Sequence, residues 1–149
     1  MKKFLLMLAS LLGIASIHAK AQFVAYQDIK PLLKKLKDGQ MSHGFFGLTS
    51  NGTDCLYFSY ENGGFLLEYE VMVEPQKQVA STFMSWAKES GFEVITTTFG
   101  NKCKYPPFSN APVYRVILGN SLDHAYRQGF SFFLKVFGYK ESQSFEVVP

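Results

Sequence analysis

The stretch His43–Val73, HGFFGLTSNGTDCLYFSYENGGFLLEYEVMV, contains two Asn-Gly pairs, Asn51-Gly52 and Asn62-Gly63, each set between apolar segments. Asn-Gly is the strongest short-range signal for a β-hairpin, because a type I′ turn needs φ > 0 at both central residues and its twist suits the flanking strands. Two such pairs in succession predict a three-stranded antiparallel meander.

The spacing around each Asn-Gly pair also predicts a strand register. If Asn62-Gly63 is a two-residue loop, six apolar or aromatic residues share one face of the meander, the core face. The predicted pairs are Leu56–Tyr69, Phe58–Leu67 and Tyr60–Phe65. The same count from Asn51-Gly52 places Phe45 opposite Phe58 and Gly47 opposite Leu56 on the core face.

The opposite side of the meander, to which Tyr57 and Leu66 point, is called the reverse face below. Its predicted members are Phe46, Leu48, Cys55, Tyr57, Leu66 and Met72, with Ser59, Glu68 and Glu70 among them. A solvated face is normally more polar than this, so we expect another part of the chain, a second copy or a partner protein to cover it.

The N-terminus has the pattern of a secretory signal peptide. Lys2 and Lys3 precede a largely apolar run, Phe4–Ile17, and Ala19-Lys20-Ala21 fits an A-x-A cleavage site that leaves Gln22 as the first mature residue. The apolar run of about 14 residues is shorter than the roughly 20 that a membrane-spanning helix needs. We therefore expect residues 1–21 to be a signal peptide of an exported bacterial protein, periplasmic or secreted, with no membrane insertion after cleavage.

Signal cleavage changes the charge balance. Three of the 15 basic residues, Lys2, Lys3 and Lys20, lie in the predicted signal, so the remaining chain has equal numbers of basic and acidic residues. No stripe of Lys or Arg interleaved with aromatic residues is present, so nucleic-acid binding is not expected. The remaining residues, 22–149, are enough for one domain with one core.

Helical periodicity predicts three helices around the meander. The first covers Ala25–Asp38 with an apolar stripe of Ile29, Leu32, Leu33 and Leu36. The second opens at Glu74-Pro75 and ends at Gly91, and the third runs from Asn120 or Ser121 to Gly138 with a strongly aromatic stripe.

Two further segments, Phe92–Phe99 and Val113–Leu118, are rich in β-branched or aromatic residues and are predicted to be strands. Phe145–Val148 fits either a short final strand or a tail. The predicted class is α+β, an antiparallel sheet of the meander plus two strands packed against helices, in the order α-β-β-β-α-β-β-α.

The segment Gly100–Pro112 contains three prolines, which exclude a regular helix or ladder. A loop of about 13 residues is long for a small domain, and such loops are often functional. We expect four of its side chains to be exposed and available for binding: Lys102, Lys104, Tyr105 and Phe108. The alternative is a plain surface connection.

Two cysteines, Cys55 and Cys103, remain after signal cleavage. In an oxidising compartment a disulfide is the default expectation, and this one would tie the proline-rich loop to the reverse face. The chain-entropy model assigns about 4 kcal/mol to closing a loop of roughly 48 residues. Free thiols or a redox role are the alternatives, although no C-x-x-C is present.

Catalytic and metal-binding patterns are weak. The chain has no G-x-S-x-G, H-E-x-x-H, P-loop or dinucleotide fingerprint, and its cysteines and histidines do not have zinc-ligand spacing. We expect no enzymatic activity, no cofactor and no metal. The alternative is a small periplasmic hydrolase that uses His124 with Asp123.

The element order, with the pieces Thr53–Ser59 (TDCLYFS) and Leu122–Gly138, resembles the type III secretion chaperone-like superfamily, and within it the YbjN-like proteins. This resemblance implies an α+β sandwich that binds another polypeptide or pairs with itself, without catalysis. The first hypothesis is an exported protein-binding module, in one form an immunity protein or inhibitor of a toxin or wall-degrading enzyme. It would bind its partner through Phe46, Leu48, Tyr57 and Leu66 together with the proline-rich loop. A structural homodimer is the other alternative.

Overall fold

The structure, a computed structural model, describes residues 20–98 and 110–148. The elements in chain order are β1 (Gln22–Ala25), α1 (Tyr26–Lys37), β2 (Phe45–Thr49), β3 (Cys55–Glu61), β4 (Gly64–Glu70), α2 (Glu74–Glu89), β5 (Ile95–Thr98), β6 (Pro112–Gly119), α3 (Leu122–Lys135) and β7 (Ser144–Val148). The predicted α+β class is confirmed. None of the helices in these two ranges is both long enough and apolar enough to cross a membrane.

The strands form one seven-stranded sheet in the order β1-β7-β2-β3-β4-β6-β5, and every neighbouring pair is antiparallel. The predicted meander β2-β3-β4 is present, and it lies at the centre of the sheet. The predicted order differs in detail, because β1 was not predicted and Phe145–Val148 forms a full strand, β7. β7 lies between β1 and β2, at positions distant in sequence, and no local turn signal indicates that pairing.

The second hairpin has the predicted register. Its pairs are Leu56–Tyr69, Phe58–Leu67 and Tyr60–Phe65. Both loop residues have positive φ, with Asn62 at 52° and Gly63 at 80°. The Asn-Gly pair therefore forms the two-residue turn that its conformational preference predicts.

The predicted register of the first hairpin is wrong by one residue. Thr49 pairs with Cys55, so the connection is longer than two residues, and Phe46 rather than Phe45 faces Phe58. Asn51 does not have positive φ. Its side-chain oxygen instead accepts hydrogen bonds from the backbone N–H groups of Thr53 (2.9 Å) and Asp54 (2.7 Å). This Asx turn replaces the type I′ turn.

The one-residue shift exchanges the two faces of β2, because side chains alternate along a strand. Phe46 and Leu48, with 1% and 0% of their surface exposed, lie in the core, and Phe46 stacks on Phe58 at 5.4 Å between ring centroids. Gly47 lies on the reverse face. The assignment of Phe46 and Leu48 to a partner-binding surface is therefore wrong.

The predicted stripe of α1 is confirmed, since Ile29, Leu32, Leu33 and Leu36 are all buried. In α2 the buried residues are Gln76, Phe83, Trp86 and Ala87, and in α3 they are Ala125, Gly129, Phe132 and Phe133. The Ser121 side chain caps α3 by accepting a hydrogen bond from the His124 N–H. Each helix thus has one buried face, as the apolar periodicity predicts.

All three helices lie on the same side of the sheet. Tyr26 of α1 and Phe133 of α3 both contact Phe145 of β7, and Phe83 of α2 stacks on Tyr69 of β4. These sheet residues belong to the core face. In residues 20–98 and 110–148, no helix packs on the reverse face.

Candidate functional site

The reverse face consists of cross-strand rows that the register defines. One row follows the sheet from Val148 through Gly47, Tyr57, Glu68 and Arg115 to Ile95. A second row contains Phe45, Ser59, Leu66 and Ile117. Beyond Tyr57 and Glu68, on the other side of the first row, lie Cys55 and Glu70. The charged residues Glu68 and Arg115 are therefore neighbours on this surface, with apolar and aromatic residues around them.

A cross-strand ion pair lies near the centre of this surface. Glu68 and Arg115 are direct neighbours on β4 and β6, and an Nη2 of Arg115 contacts Oε1 of Glu68. Their side chains are only 18% and 31% exposed. A partly buried Arg–carboxylate pair is better shielded from water than a surface pair, so its electrostatic attraction is less screened.

Aromatic side chains border this ion pair on the β2 side. The ring of Phe45 lies 6.0 Å from that of Tyr57, edge to face, and His43 stacks on Phe45 at 5.8 Å. A hollow of about 260 Å³ is lined by Phe45, Tyr57, Glu68 and Glu70. Rigid aromatic residues beside a fixed charge are typical of residues that anchor protein interfaces.

Because Gly47 has no side chain, neighbouring side chains pack directly against its backbone. A Cβ at this position would come within 2.6 Å of Val148, 2.7 Å of Tyr57 and 2.8 Å of the Cys55 sulfur. The space that the missing side chain leaves is therefore already filled by these three residues. This close packing against Gly47 fixes the positions of Tyr57 and Cys55.

Two ionisable groups of this region have raised pKa values. Burial, and then repulsion from Glu68, raises the pKa of Glu70 to about 7. Burial raises the pKa of the Cys55 thiol to about 12, which the hydrogen bond with Tyr57 only partly offsets. Cys55 is thus a protonated, unreactive thiol at neutral pH when it is reduced.

A wider groove of about 610 Å³ lies at the β5 side of the surface. Leu66, Ile95, Arg115 and Ile117 line it together with the Glu61–Gly64 turn and the end of β6. Ile117 and Ile95 are 56% and 40% exposed, whereas Leu66 is only 7% exposed. The groove is therefore mainly apolar, and its charged lining residues are Arg115 on β6 and Glu61 at the turn.

Of the predicted binding residues, Tyr57 and Leu66 do lie on the reverse face. Lys102, Lys104, Tyr105 and Phe108 lie outside the described residues, as do Cys103 and the predicted signal segment 1–19.

Four residues of the reverse face were not predicted from the sequence: Phe45, Ile95, Arg115 and Ile117. Alternation along β6, where Val116 and Leu118 are buried and Ile117 is exposed, is the signal that could have found Ile117.

Asp123 and His124, the alternative acid–base pair, each contact a different residue instead of each other. Asp123 forms an ion pair with Lys30 of α1, whose hydrogen bond lowers the pKa of the Asp123 carboxyl. The His124 ring packs against the edge of Phe92 at 6.1 Å. In the described ranges no hydrogen bond joins the two side chains, and no cluster of three His, Cys, Asp or Glu residues could hold a metal ion.

Comparison with known proteins finds no matching family model, no matching curated protein and no matching solved structure. The resemblance to YbjN-like proteins accordingly stays a prediction.

Proposed function

We propose that this chain is an exported, non-catalytic protein-binding module that uses the reverse face of its sheet. The observation that carries the proposal is the one-sided packing of the helices. All three cover the core face, while the reverse face carries the exposed side chains of Phe45, Ile95 and Ile117 beside a partly buried ion pair. Exposed apolar side chains that cluster around polar ones mark interaction surfaces.

The shape of the surface favours a polypeptide over a small substrate. The hollow and the groove of the reverse face are open and lie side by side on a broad sheet, and the candidate acid–base pair Asp123–His124 lies on the helix side. A partner protein can cover such a surface and exclude water around the Glu68–Arg115 pair, as interface rims do. An immunity protein or inhibitor is the specific form we favour.

Export is the second part of the proposal. Its support is the sequence pattern of residues 1–21, with a basic start, an apolar run and the Ala19-Lys20-Ala21 site. Expression of the full chain in a bacterial host, with intact mass measured on the fractionated protein, tests this directly. Loss of residues 1–21 and recovery outside the cytoplasm are expected. An uncut chain in the cytoplasm would refute export.

The same material tests the proposed disulfide between Cys55 and Cys103. We expect no titratable thiol in the denatured, unreduced protein and two after reduction, with a loss of up to about 4 kcal/mol of stability on reduction. Two thiols before reduction would contradict the pairing.

Partner capture tests the binding function. The exported protein is purified under native conditions, and the mass of the intact eluate is measured for wild type, Phe45→Asp and Met84→Asp. Both residues are exposed and apolar, but Phe45 lies on the reverse face and Met84 on the helix side in α2. We expect a stoichiometric foreign protein with wild type and Met84→Asp, and its loss with Phe45→Asp. Capture that survives Phe45→Asp, or a homodimer that Phe45→Asp dissociates, would refute this function.

A further inference from the structure

The strand β6 is paired along only part of one edge. Its pairing with β5 runs from Pro112–Thr98 to Arg115–Ile95, whereas β6 continues to Gly119. Within residues 20–98 and 110–148, no strand pairs with positions 116–119 on that side. In the described part of the chain, about half of β6 is therefore an open sheet edge.

The open edge arises because the chain before β5 is held by the helix layer. The N–H of Phe92 donates a hydrogen bond to the carbonyl of Ala87 at the end of α2 (2.8 Å). The Phe92 ring packs on Trp86 with 5.5 Å between ring centroids. These contacts draw residues 92–94 away from β6, so β5 begins only at Ile95.

Antiparallel pairing fixes the direction of the backbone groups at this edge. Successive residues of a strand point their N–H and C=O groups alternately to the two neighbouring strands. Since β4 takes one set, the other set points outward at the open edge. A bulge at Leu118, between the Leu66–Ile117 and Phe65–Gly119 pairs, and the positive φ of Gly119 (79°) interrupt this alternation near the end of β6. Unpaired edge groups of this kind are a template for an added strand.

The mainly apolar groove lies beside this open edge. Its walls include Ile117, an exposed apolar residue of β6, and Ile95 at the start of β5. A strand added along the edge would place every second side chain over these residues. The edge and the groove therefore suit the backbone and the side chains of the same ligand.

Arg115 gives the groove a charge preference. Its guanidinium contacts Glu68 through Nη2, but its buried Nε has no hydrogen-bond partner in the described part of the chain. A guanidinium offers five N–H donors, and the Arg115 side chain is 31% exposed. A second carboxylate can therefore be accommodated at its outer N–H groups, whereas the buried Nε is not accessible to a ligand.

We propose that positions 116–119 bind an extended segment of a partner protein as an additional strand, with apolar side chains over Ile95 and Ile117 and a carboxylate on Arg115. This rests on the proposed protein-binding function and specifies its peptide ligand. A lipid or another amphipathic anion could fill the groove and meet Arg115, but it could not pair with the outward backbone groups.

The test uses a phage-displayed library of random ten-residue peptides, selected on the immobilised exported protein. We expect enrichment of peptides in which apolar residues alternate around an Asp or Glu. A synthetic copy of an enriched peptide is then compared with a copy N-methylated at alternate amides, which keeps the side chains but removes strand pairing. Two such copies are made, one for each set of alternate amides. One of the two is expected to bind at least tenfold more weakly, because only one set of amides can pair with β6.

Variants locate the binding site. Ile117→Asp is expected to weaken binding at least tenfold, and Phe23→Asp, on the opposite edge strand β1, is expected to have no effect. Arg115→Gln should weaken binding of the acidic peptide more than that of its Gln counterpart. Slower amide hydrogen exchange at positions 116–119 of the wild-type protein with bound peptide gives a measurement that does not depend on any variant folding.

No enrichment, binding that tolerates N-methylation in both phases, or binding that tolerates Ile117→Asp would each overturn this inference. These outcomes are separate from failure of the proposed function. Capture that depends on Phe45 without any peptide at the edge leaves the binding module intact and removes only the strand addition. If a peptide binds at the edge but capture of the partner does not depend on Phe45, the strand addition is supported and the binding function assigned to Phe45 is refuted.

Discussion

Replacing Glu70 by glutamine is expected to change how the stability of this protein depends on pH. Glu70 is half-buried on the reverse face between Cys55 on β3 and Val113 on β6. Burial and the nearby Glu68 carboxylate raise its pKa from 4.5 to about 7. Since Arg115 is already paired with Glu68, the ionised form of Glu70 is disfavoured in the folded state.

The sign and size of the effect follow from this pKa. Between pH 4.5 and about 7 the folded state binds more protons at Glu70 than the unfolded state, so the free energy of unfolding falls as pH rises and levels off above about pH 7.5. The full pKa difference would correspond to about 3 kcal/mol. Because the side chain is partly exposed and screened by solvent, we expect about 1 to 2 kcal/mol.

The assay is urea denaturation at several pH values between 4.5 and 8, followed by the fluorescence of Trp86, the single, buried tryptophan. Glu70→Gln is neutral throughout, so relative to wild type it should gain about 1 to 2 kcal/mol between pH 4.5 and pH 8. Glu61→Gln, an exposed residue at the end of β3, should retain the wild-type decline. A decline in Glu70→Gln as steep as in wild type would refute the assignment of this pH dependence to Glu70.

Two further predictions concern the positioning of α2 and α3. Gln76→Ala should cost about 2 kcal/mol in urea denaturation, because the buried side chain accepts two backbone N–H bonds before α2 and donates one to the β2–β3 loop. Gln78→Ala, on the exposed side of the same helix, should change stability by less than about 0.5 kcal/mol, and equal losses would contradict this reading. Gly129→Ala should lower the melting temperature although alanine favours helix, since its Cβ would lie 2.7 Å from the Phe58 ring. A raised melting temperature would show that the ring moves aside at little cost.

Local patterns were sufficient where one signal had no local competitor. The hairpin at Asn62-Gly63 has its predicted turn and register, because both turn residues adopt the positive φ that a two-residue loop requires. The stripe of α1 is likewise buried as predicted. The class, the three-stranded meander and the helix faces could therefore be derived from the sequence.

The first hairpin shows where a local pattern was insufficient. Asn51 had two conformations available, a type I′ turn and an Asx turn, and the second also lets the Gly52 N–H donate a hydrogen bond to the Thr49 hydroxyl. Burial then decides between the registers, since the observed one places Phe46 and Leu48 in the core and Gly47 under Tyr57. The error moved two core residues onto the candidate binding surface.

The sequence by itself determined the turn at Asn62-Gly63, the amphipathic helices and the α+β class, because each depends on contacts between residues close in the chain. Only the tertiary structure decided that β7 enters the sheet between β1 and β2, that all helices lie on one side, and that β6 extends beyond β5. These features depend on pairings between distant segments and on which face has enough apolar surface to be covered. The candidate binding surface consists of what this long-range packing leaves exposed.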